Sequence, residues 1–425
     1  MKKAYSNVIL WDSSMPSAKL CDVVTDGALI DSVVPAGTAQ NSVYNGKGKT
    51  ALLPGFVNAH GHAAMSMLRG LGEELPLMEW LEKRIWPAEE RLNGNIVETG
   101  TKVALMEMLS TGTTCFADMY FYMDRVAEAS IVAGMRCGLS RGIIGDADGK
   151  KLAESLALAK DYNGAAGLVN IQLAPHAPYT LSMETVTKIA EAASANSLGV
   201  QFHWLESKTD WALCEMNGKM TPEEYLTQSG LAQVKHLLLA HCLYVNPQSL
   251  DFYAKDNITF AHNPKSNLKL GSGIAPVASY IKAGISMAMG TDGAASNNRL
   301  DMWDELRFAA LIHKGVNYDP TCLCSAELFK MATVAGAKAL GFDHTGLIRE
   351  GYTADMMLVD LDLPHYTGWN MENLSGCLVY AGSSADIKAT VVAGEMLYAG
   401  GEFMTIDRAS VAAEAVTARE ILTQK

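Results

Sequence analysis

The sequence predicts an α/β protein: a (β/α)8 barrel of the TIM type, carrying a small β-sandwich formed by its N- and C-terminal segments. Eight apolar, β-branched runs alternate with amphipathic helical stretches through the middle of the chain. Those runs end in polar, chemistry-bearing residues. Both termini have a different texture, rich in short strands and turns.

Residues 1–52 are punctuated by Asp26-Gly27, Asn45-Gly46 and Gly48, the marks of tight turns between strands. The barrel is expected over 53–346. Its first run, Leu52 to Ala59, ends at His60, the second at Asp118, and the third, from Met135, at Arg141. The fourth runs from Val169 to His176, the fifth from Val200 to His203, and the sixth from His236 to His241. The seventh, Ile258 to Asn263, and the eighth, Ile285 to Asp292, complete the set. Between them, Leu152–Tyr162 and Met183–Asn196 have helical apolar spacing, and Thr221-Pro222-Glu223-Glu224 has the form of a capping box. The alternative is a doubly wound open sheet, but no Gly-x-Gly-x-x-Gly turn follows any run. From 347 to 425 the β-rich texture returns in Met356–Asp360 and Ile387–Leu397, followed from Ala409 by an Ala/Glu-rich helix expected to lie exposed.

Composition narrows the function classes. The 425 residues are 49% hydrophobic and 19% charged, with a formal net charge of −12 and no basic run. Nucleic-acid partners need clustered positive charge, so none is expected. No apolar stretch is long enough to span a bilayer, and the N-terminus lacks a signal-peptide core, so neither a membrane partner nor export is expected. The eight cysteines are scattered, consistent with buried thiols in a reducing cytoplasm. Cys322-x-Cys324 has no second pair at zinc-site spacing and reads as structural.

A parallel barrel opens all strand ends on one face, where active sites lie. That topology gathers His60, His62, Asp118, Arg141, His176, His203, His241 and Asp292. His60 and His62, two apart in an extended segment, aim their rings to one side. With His203 and Asp292 they make three nitrogens and one carboxylate, a set suited to one divalent ion with room for water. Such an ion acidifies water into a nucleophile. Asp292 can take the water's proton, and His241 can hydrogen-bond the water or a developing oxyanion. Glu206, three residues beyond His203, would be an ordinary solvated glutamate elsewhere; beside a metal ligand it is a candidate acid/base. His236 begins its strand and belongs at the opposite face. The His262–Asn267 turn is expected to wall the pocket, and His313, His344 and His365 need no function.

Several stretches carry a specific resemblance: Pro54-Gly55-Phe56-Val57-Asn58-Ala59-His60-Gly61-His62, Glu79-Trp80-Leu81, Trp86-Pro87-Ala88-Glu89, Pro175-His176-Ala177-Pro178-Tyr179 and His203-Trp204-Leu205-Glu206. Ala240-His241-Cys242, His262-Asn263-Pro264-Lys265-Ser266-Asn267 and Gly290-Thr291-Asp292-Gly293-Ala294-Ala295-Ser296-Asn297 extend it over nearly the whole chain. The chain resembles the amidohydrolase superfamily, and within it the methylthioadenosine/S-adenosylhomocysteine deaminases. The resemblance implies a metal-dependent hydrolase of C–N bonds in cyclic amidines, converting an adenine nucleoside to its inosine analogue and ammonia. It implies Glu206, His241 and Asp292 as catalytic, and Glu89, Arg141, His176, Trp80 and Glu206 against substrate. One ion per subunit is expected, zinc first, with iron or manganese as alternatives, in a homo-oligomer. Where relatives that take S-adenosylhomocysteine carry a second arginine, this chain has Lys150-Lys151, which lacks the bidentate fork. That departure widens the expected substrates to methylthioadenosine, 5′-deoxyadenosine and adenosine. Another deaminase or chlorohydrolase of the superfamily (guanine, cytosine or triazine substrate) stays open. A non-catalytic scaffold is disfavoured, because such chains would be expected to lose metal ligands.

Overall fold

A computed structural model describes residues 2–423. Eight parallel strands form the central sheet: β6 (Phe56–Asn58), β7 (Thr113–Tyr120), β8 (Arg136–Ile143), β9 (Val169–Pro175), β10 (Gly199–Trp204), β11 (Leu237–His241), β12 (Ile258–His262) and β13 (Ser286–Met289), each hydrogen-bonded to the next in chain order. The first and last strands meet at their C-terminal ends. There the Ala59 N–H donates to the Met289 carbonyl (2.9 Å) and the Asp292 N–H to the His60 carbonyl (3.0 Å). Asn58 locks the seam: its amide donates to Thr291 Oγ1 (2.7 Å), and its carbonyl oxygen accepts the Thr291 N–H (2.9 Å). The barrel thus closes at the edge where the polar residues stand.

The terminal segments supply β1 (Lys2–Leu10), β2 (Lys19–Asp26), β3 (Leu29–Pro35), β4 (Ser42–Asn45), β5 (Thr50–Pro54), β14 (Met356–Asp360), β15 (Ile387–Val392), β16 (Glu395–Ala399) and β17 (Glu402–Phe403). They form one continuous nine-stranded mixed sheet instead of two separately bonded ones. The cause is β5, which pairs parallel with β1 on one side and antiparallel with β14 on the other. Side chains alternate across this junction. Leu52, Met356 and Leu358 join a core internal to the terminal sheet, whereas Leu53, Met357 and Val359 face the barrel's main core.

The apolar run ahead of His60 is therefore not one strand. It divides at Gly55, with β5 in the mixed sheet and β6 in the barrel. A Cβ at Gly55 would lie 2.1 Å from the Thr114 side chain, so this change of sheet requires glycine.

Helices cover the barrel where the apolar spacing predicts them, including Lys150–Tyr162 and Met183–Ala195. Thr221 Oγ1 accepts the Glu224 N–H (3.2 Å), and Glu224 accepts the Thr221 N–H (2.7 Å), completing the capping box. The last helix, Arg408–Thr423, is exposed along most of its length, as expected, but seats one narrow stripe on the barrel. Its Val411, Ala418 and Leu422 are buried, and Ala418 and Leu422 share a core cluster with Ile96 and Val97 of the helix Gly94–Ser110.

At the N-terminal end of the barrel, Arg136 and Asp355 form a buried bidentate pair (2.6 and 3.2 Å) that joins β8 to the segment leading into β14. The remaining polar groups are used too: Arg136 donates to the Gly167 carbonyl (2.7 Å), and Asp355 accepts the Ala393 N–H (2.8 Å). Among the described residues no helix is long and apolar enough to cross a membrane.

Candidate active site

The C-terminal strand ends surround a cavity. His60 packs behind the lining residues His62, His203 and His241, fully buried, with neither ring nitrogen hydrogen-bonded. An unpaired buried imidazole is costly, and that cost calls for a partner. The neighbours are other ligand-type groups. The His60 ring centroid is 5.1 Å from that of His62, 4.9 Å from His203 and 5.2 Å from His241. Asp292 Oδ1 lies 3.2 Å from His62 Nε2 and 3.8 Å from His60 Nε2. One donor atom each from His60, His62 and Asp292, and likewise from His60, His203 and His241, fall within 4.8 Å of one another. His60 belongs to both groups, and this donor set fits a divalent ion.

The outer nitrogens fix the tautomers. His62 Nδ1 contacts the Met119 carbonyl (2.6 Å), and His203 Nδ1 contacts the His176 carbonyl (2.9 Å). A carbonyl only accepts, so both Nδ1 atoms carry hydrogen, and each ring, when neutral, turns an Nε2 lone pair inward. Against the downward push of burial, Asp292 raises His62 to about 9, so a ligand at its Nε2 would displace a proton. His241 Nδ1 contacts Asn267 Oδ1 (2.9 Å), which leaves its Nε2 free, 3.8 Å from Glu206 Oε2. Asp292 is held from behind: Ser266 and Ser296 hydroxyls donate to Oδ2 (2.6 and 2.9 Å), and the Gly293 N–H donates to Oδ1 (2.7 Å). Asp292 and His241 also sit in the left-handed region, at φ +62° and +73°. Such backbone strain persists where surrounding bonds over-determine it.

Burial sets the protonation states. It pushes His60 and His203 well below the ordinary histidine range and His176 down to about 4. It pushes the Glu206 carboxyl up to about 7, with His241 partly opposing the rise. The Glu206 backbone is fixed in turn, its N–H donating to Asp210 (2.7 Å). Asp118 is buried with one oxygen unpartnered and is pushed up to about 7 by burial; it does not line the cavity.

Trp80, Glu89, His176, His203, Glu206, His241, Asp292 and His62 all line the cavity. Glu89 Oε1 accepts the Tyr120 hydroxyl (2.7 Å), and Trp80 Nε1 donates to the Leu71 carbonyl (3.0 Å). Arg141 does not join them, contrary to the expected convergence of strand ends. The side-chain period of two points Gly142 at the cavity and Arg141 away from it. Arg141 Nε pairs with Glu154 (2.7 Å) and lines an adjoining cleft of about 1590 Å³ that shares Trp86, Glu89 and Phe121 with the cavity. Lys150 pairs with the exposed Asp148 (2.8 Å), and neither Lys150 nor Lys151 lines the cavity.

The His262–Asn267 segment is not a wall. His262 faces the outer layer, its Nε2 2.9 Å from His313 Nε2, and neither ring lines the cavity. The helix Pro264–Lys269 that follows supplies Ser266 and Asn267 to Asp292 and His241. Ser266, Asn267 and Ser296 lie within the stretches that carry the resemblance, but neither they nor Tyr120 has an expected role from the sequence. The proline opening a helix at a strand end, followed by short polar side chains, is the signal that points to Ser266 and Asn267.

The amidohydrolase family profile matches residues 51–397. A 5-methylthioadenosine/S-adenosylhomocysteine deaminase of Dictyoglomus thermophilum is 40% identical over 376 residues, 88% of this chain and 87% of that protein. A 5′-deoxyadenosine deaminase of Methanothermobacter thermautotrophicus is 40% identical over 388 residues, 90% of each chain. The crystal structure of an adenosine deaminase from Xanthomonas campestris with bound zinc superposes with a TM-score of 0.92 at 30% identity, covering 99% of this chain and 98% of that one.

Proposed function

The chain belongs to the amidohydrolase family, and we propose that it is a metal-dependent hydrolytic deaminase of adenine nucleosides. The carrying observation is His60, buried with both ring nitrogens unpaired among His62, His203, His241 and Asp292, which line one cavity with Glu206 and Glu89. His60, His62, His203 and Asp292 would hold one divalent ion, zinc first, with iron or manganese as alternatives. When bound, that ion supplies Lewis-acid activation of a water at neutral pH.

The chain's own groups do the rest. Asp292 Oδ1, its partner oxygen anchored by two serines, accepts the proton of the attacking water. The free Nε2 of His241 accepts a hydrogen bond from that water and steers it to C6 of the purine. Glu206, kept protonated near neutrality by burial, delivers its proton to ring N1 as the C6–O bond forms. The proton taken by Asp292 then passes to the exocyclic amine, the C6–N bond breaks and ammonia leaves, while the remaining C6 hydroxyl proton returns to the Glu206 carboxylate, giving a 6-oxo purine and restoring the acid.

Glu89 has one oxygen committed to Tyr120, leaving the other for the ribose diol. Neutral His176, beside His203, faces the nucleoside. Trp80, with Leu77, Leu81 and Ile85, gives the 5′ end an apolar wall. Arg141 stands beyond it in the outer cleft, already paired. This arrangement favours methylthioadenosine and 5′-deoxyadenosine over nucleosides with a charged 5′ tail.

The test is an ammonia-release screen on zinc-loaded protein over 5′-deoxyadenosine, methylthioadenosine, adenosine, S-adenosylhomocysteine, adenine, guanine and cytosine. Turnover of the first two, with little on free bases, is the expected result. Guanine or cytosine turnover without nucleoside turnover would replace this reading with a free-base deaminase. A Glu89→Gln variant should lose activity on nucleosides and not on free adenine; equal losses would remove Glu89 from the ribose site.

A further inference from the structure

The helix Met302–Asn317 carries a fully buried carboxyl group, Glu305, that does not line the cavity. Its two oxygens are both used. Oε1 accepts the Asn297 side-chain amide (2.6 Å), and Oε2 accepts the Lys265 backbone N–H (3.2 Å). These partners sit on two different short helices. Asn297 ends Ala294–Asn297, which carries Ser296, and its amide also donates to the Thr291 carbonyl beside Asp292 (2.7 Å). Lys265 lies in the first turn of Pro264–Lys269, which carries Ser266 and Asn267.

One carboxyl group therefore ties together the two segments whose side chains orient Asp292 and His241. Ser266 and Ser296, one from each segment, meet on the same Asp292 oxygen and on each other (3.0 Å). The helix presenting Glu305 is itself anchored. Asp301 caps it, Ser384 donates to Asp301 (2.6 Å), and Trp303 donates to the Leu378 carbonyl (2.9 Å). A rigid element thus reaches into an otherwise strained loop, which is how a ligand set is held in register.

We propose that Glu305 is a positioning residue for the metal centre, acting through Asn297 and Lys265 on Asp292 and His241. The inference rests on the metal-dependent reading above. Its test is zinc affinity, measured by competition with a chromophoric chelator, on wild type, Glu305→Ala, Glu305→Gln and Leu306→Ala. Leu306 is the next residue of the helix, buried in the main core, so its truncation loosens the helix without touching the clamp.

Glu305→Ala should bind zinc about 10- to 100-fold more weakly, as loss of an outer ligand-orienting group does. At saturating zinc its kcat should fall with little change in KM, because the substrate walls are untouched. Glu305→Gln keeps one acceptor oxygen and should lie between. Leu306→Ala should be less stable and bind zinc like wild type. If Glu305→Ala does not fold, Asn297→Ala removes one arm of the clamp and should show the same affinity loss. Wild-type zinc affinity in Glu305→Ala or in its stand-in, or an equal loss in Leu306→Ala, would overturn the inference. Wild-type protein that takes up no zinc would overturn the metal-dependent reading itself.

Discussion

The two ends of the barrel handle buried polar groups in opposite ways. At the N-terminal end, Arg136 and Asp355 are buried, and their polar atoms are used among themselves and nearby backbone. At the C-terminal end, His60 is equally buried and both its nitrogens are idle. A satisfied buried pair fixes one sheet against another, whereas an unsatisfied one has been kept for something that arrives from outside. The same β6–β13 sheet carries both, so the difference comes from the residues at each strand end and not from the fold.

The contrast breaks most visibly at His60. His60→Ala should leave the purified protein without stoichiometric metal and lower deamination by at least about 10³-fold, the scale of metal activation of water. Elemental analysis with an ammonia assay reads both. Glu206→Gln should keep the metal and lower kcat by about 10²- to 10⁴-fold, as removal of a positioned acid does. Metal loss in that variant would move Glu206 into the ligand set. At the other end, Asp355→Ala strands a buried guanidinium and should cost about 3–5 kcal/mol in chemical denaturation. The variant that remains folded should keep wild-type metal content and KM, and a changed metal content would erase the distinction between the two ends.

The pH profile sharpens the comparison further. Burial raises the Glu206 carboxyl from its ordinary range to about 7, so the folded protein favours its protonated form. The sign follows: its proton is present below that value and lost as pH rises through it. Activity at saturating zinc should therefore fall on the alkaline side of neutrality, by about tenfold per pH unit for a single required proton. Stability linked to this carboxyl is full below its unfolded pKa and declines as pH rises through about 7. Glu206→Gln should flatten that limb; an unchanged limb would assign it to another group. The smallest effect belongs to a region remote from both ends: Thr221→Ala, which removes the capping hydroxyl, should cost about 1 kcal/mol and leave deamination unchanged.

Much of this was readable from the chain. Apolar runs ending in polar residues indicate the strand count, and parallel topology brings residues 60, 62, 203, 241 and 292 into one cluster. What escaped was set by local direction and by partners distant in sequence. Arg141 stands inside β8, two residues before its end at Ile143 and one residue out of phase with the cavity, and only the register with its neighbours reveals that. The division of the first run at Gly55 depends on contact with Thr114, 59 residues away in sequence, which no local pattern encodes. His262 looked like a pocket residue by its strand-end position, and its burial against His313 becomes visible only once the outer helix is in place. The final helix looked exposed because its apolar residues, Val411, Ala418 and Leu422, are spread thinly among small ones, yet they suffice to seat it on the barrel.

The central claim is that side chains from three strand ends share one ion, and anomalous diffraction at the zinc edge from zinc-loaded crystals tests it most directly. A single peak within bonding distance of His60, His62, His203 and Asp292, at full occupancy in deaminating protein, is the predicted result. Active protein with no peak there, or with its metal bound elsewhere, would contradict the account.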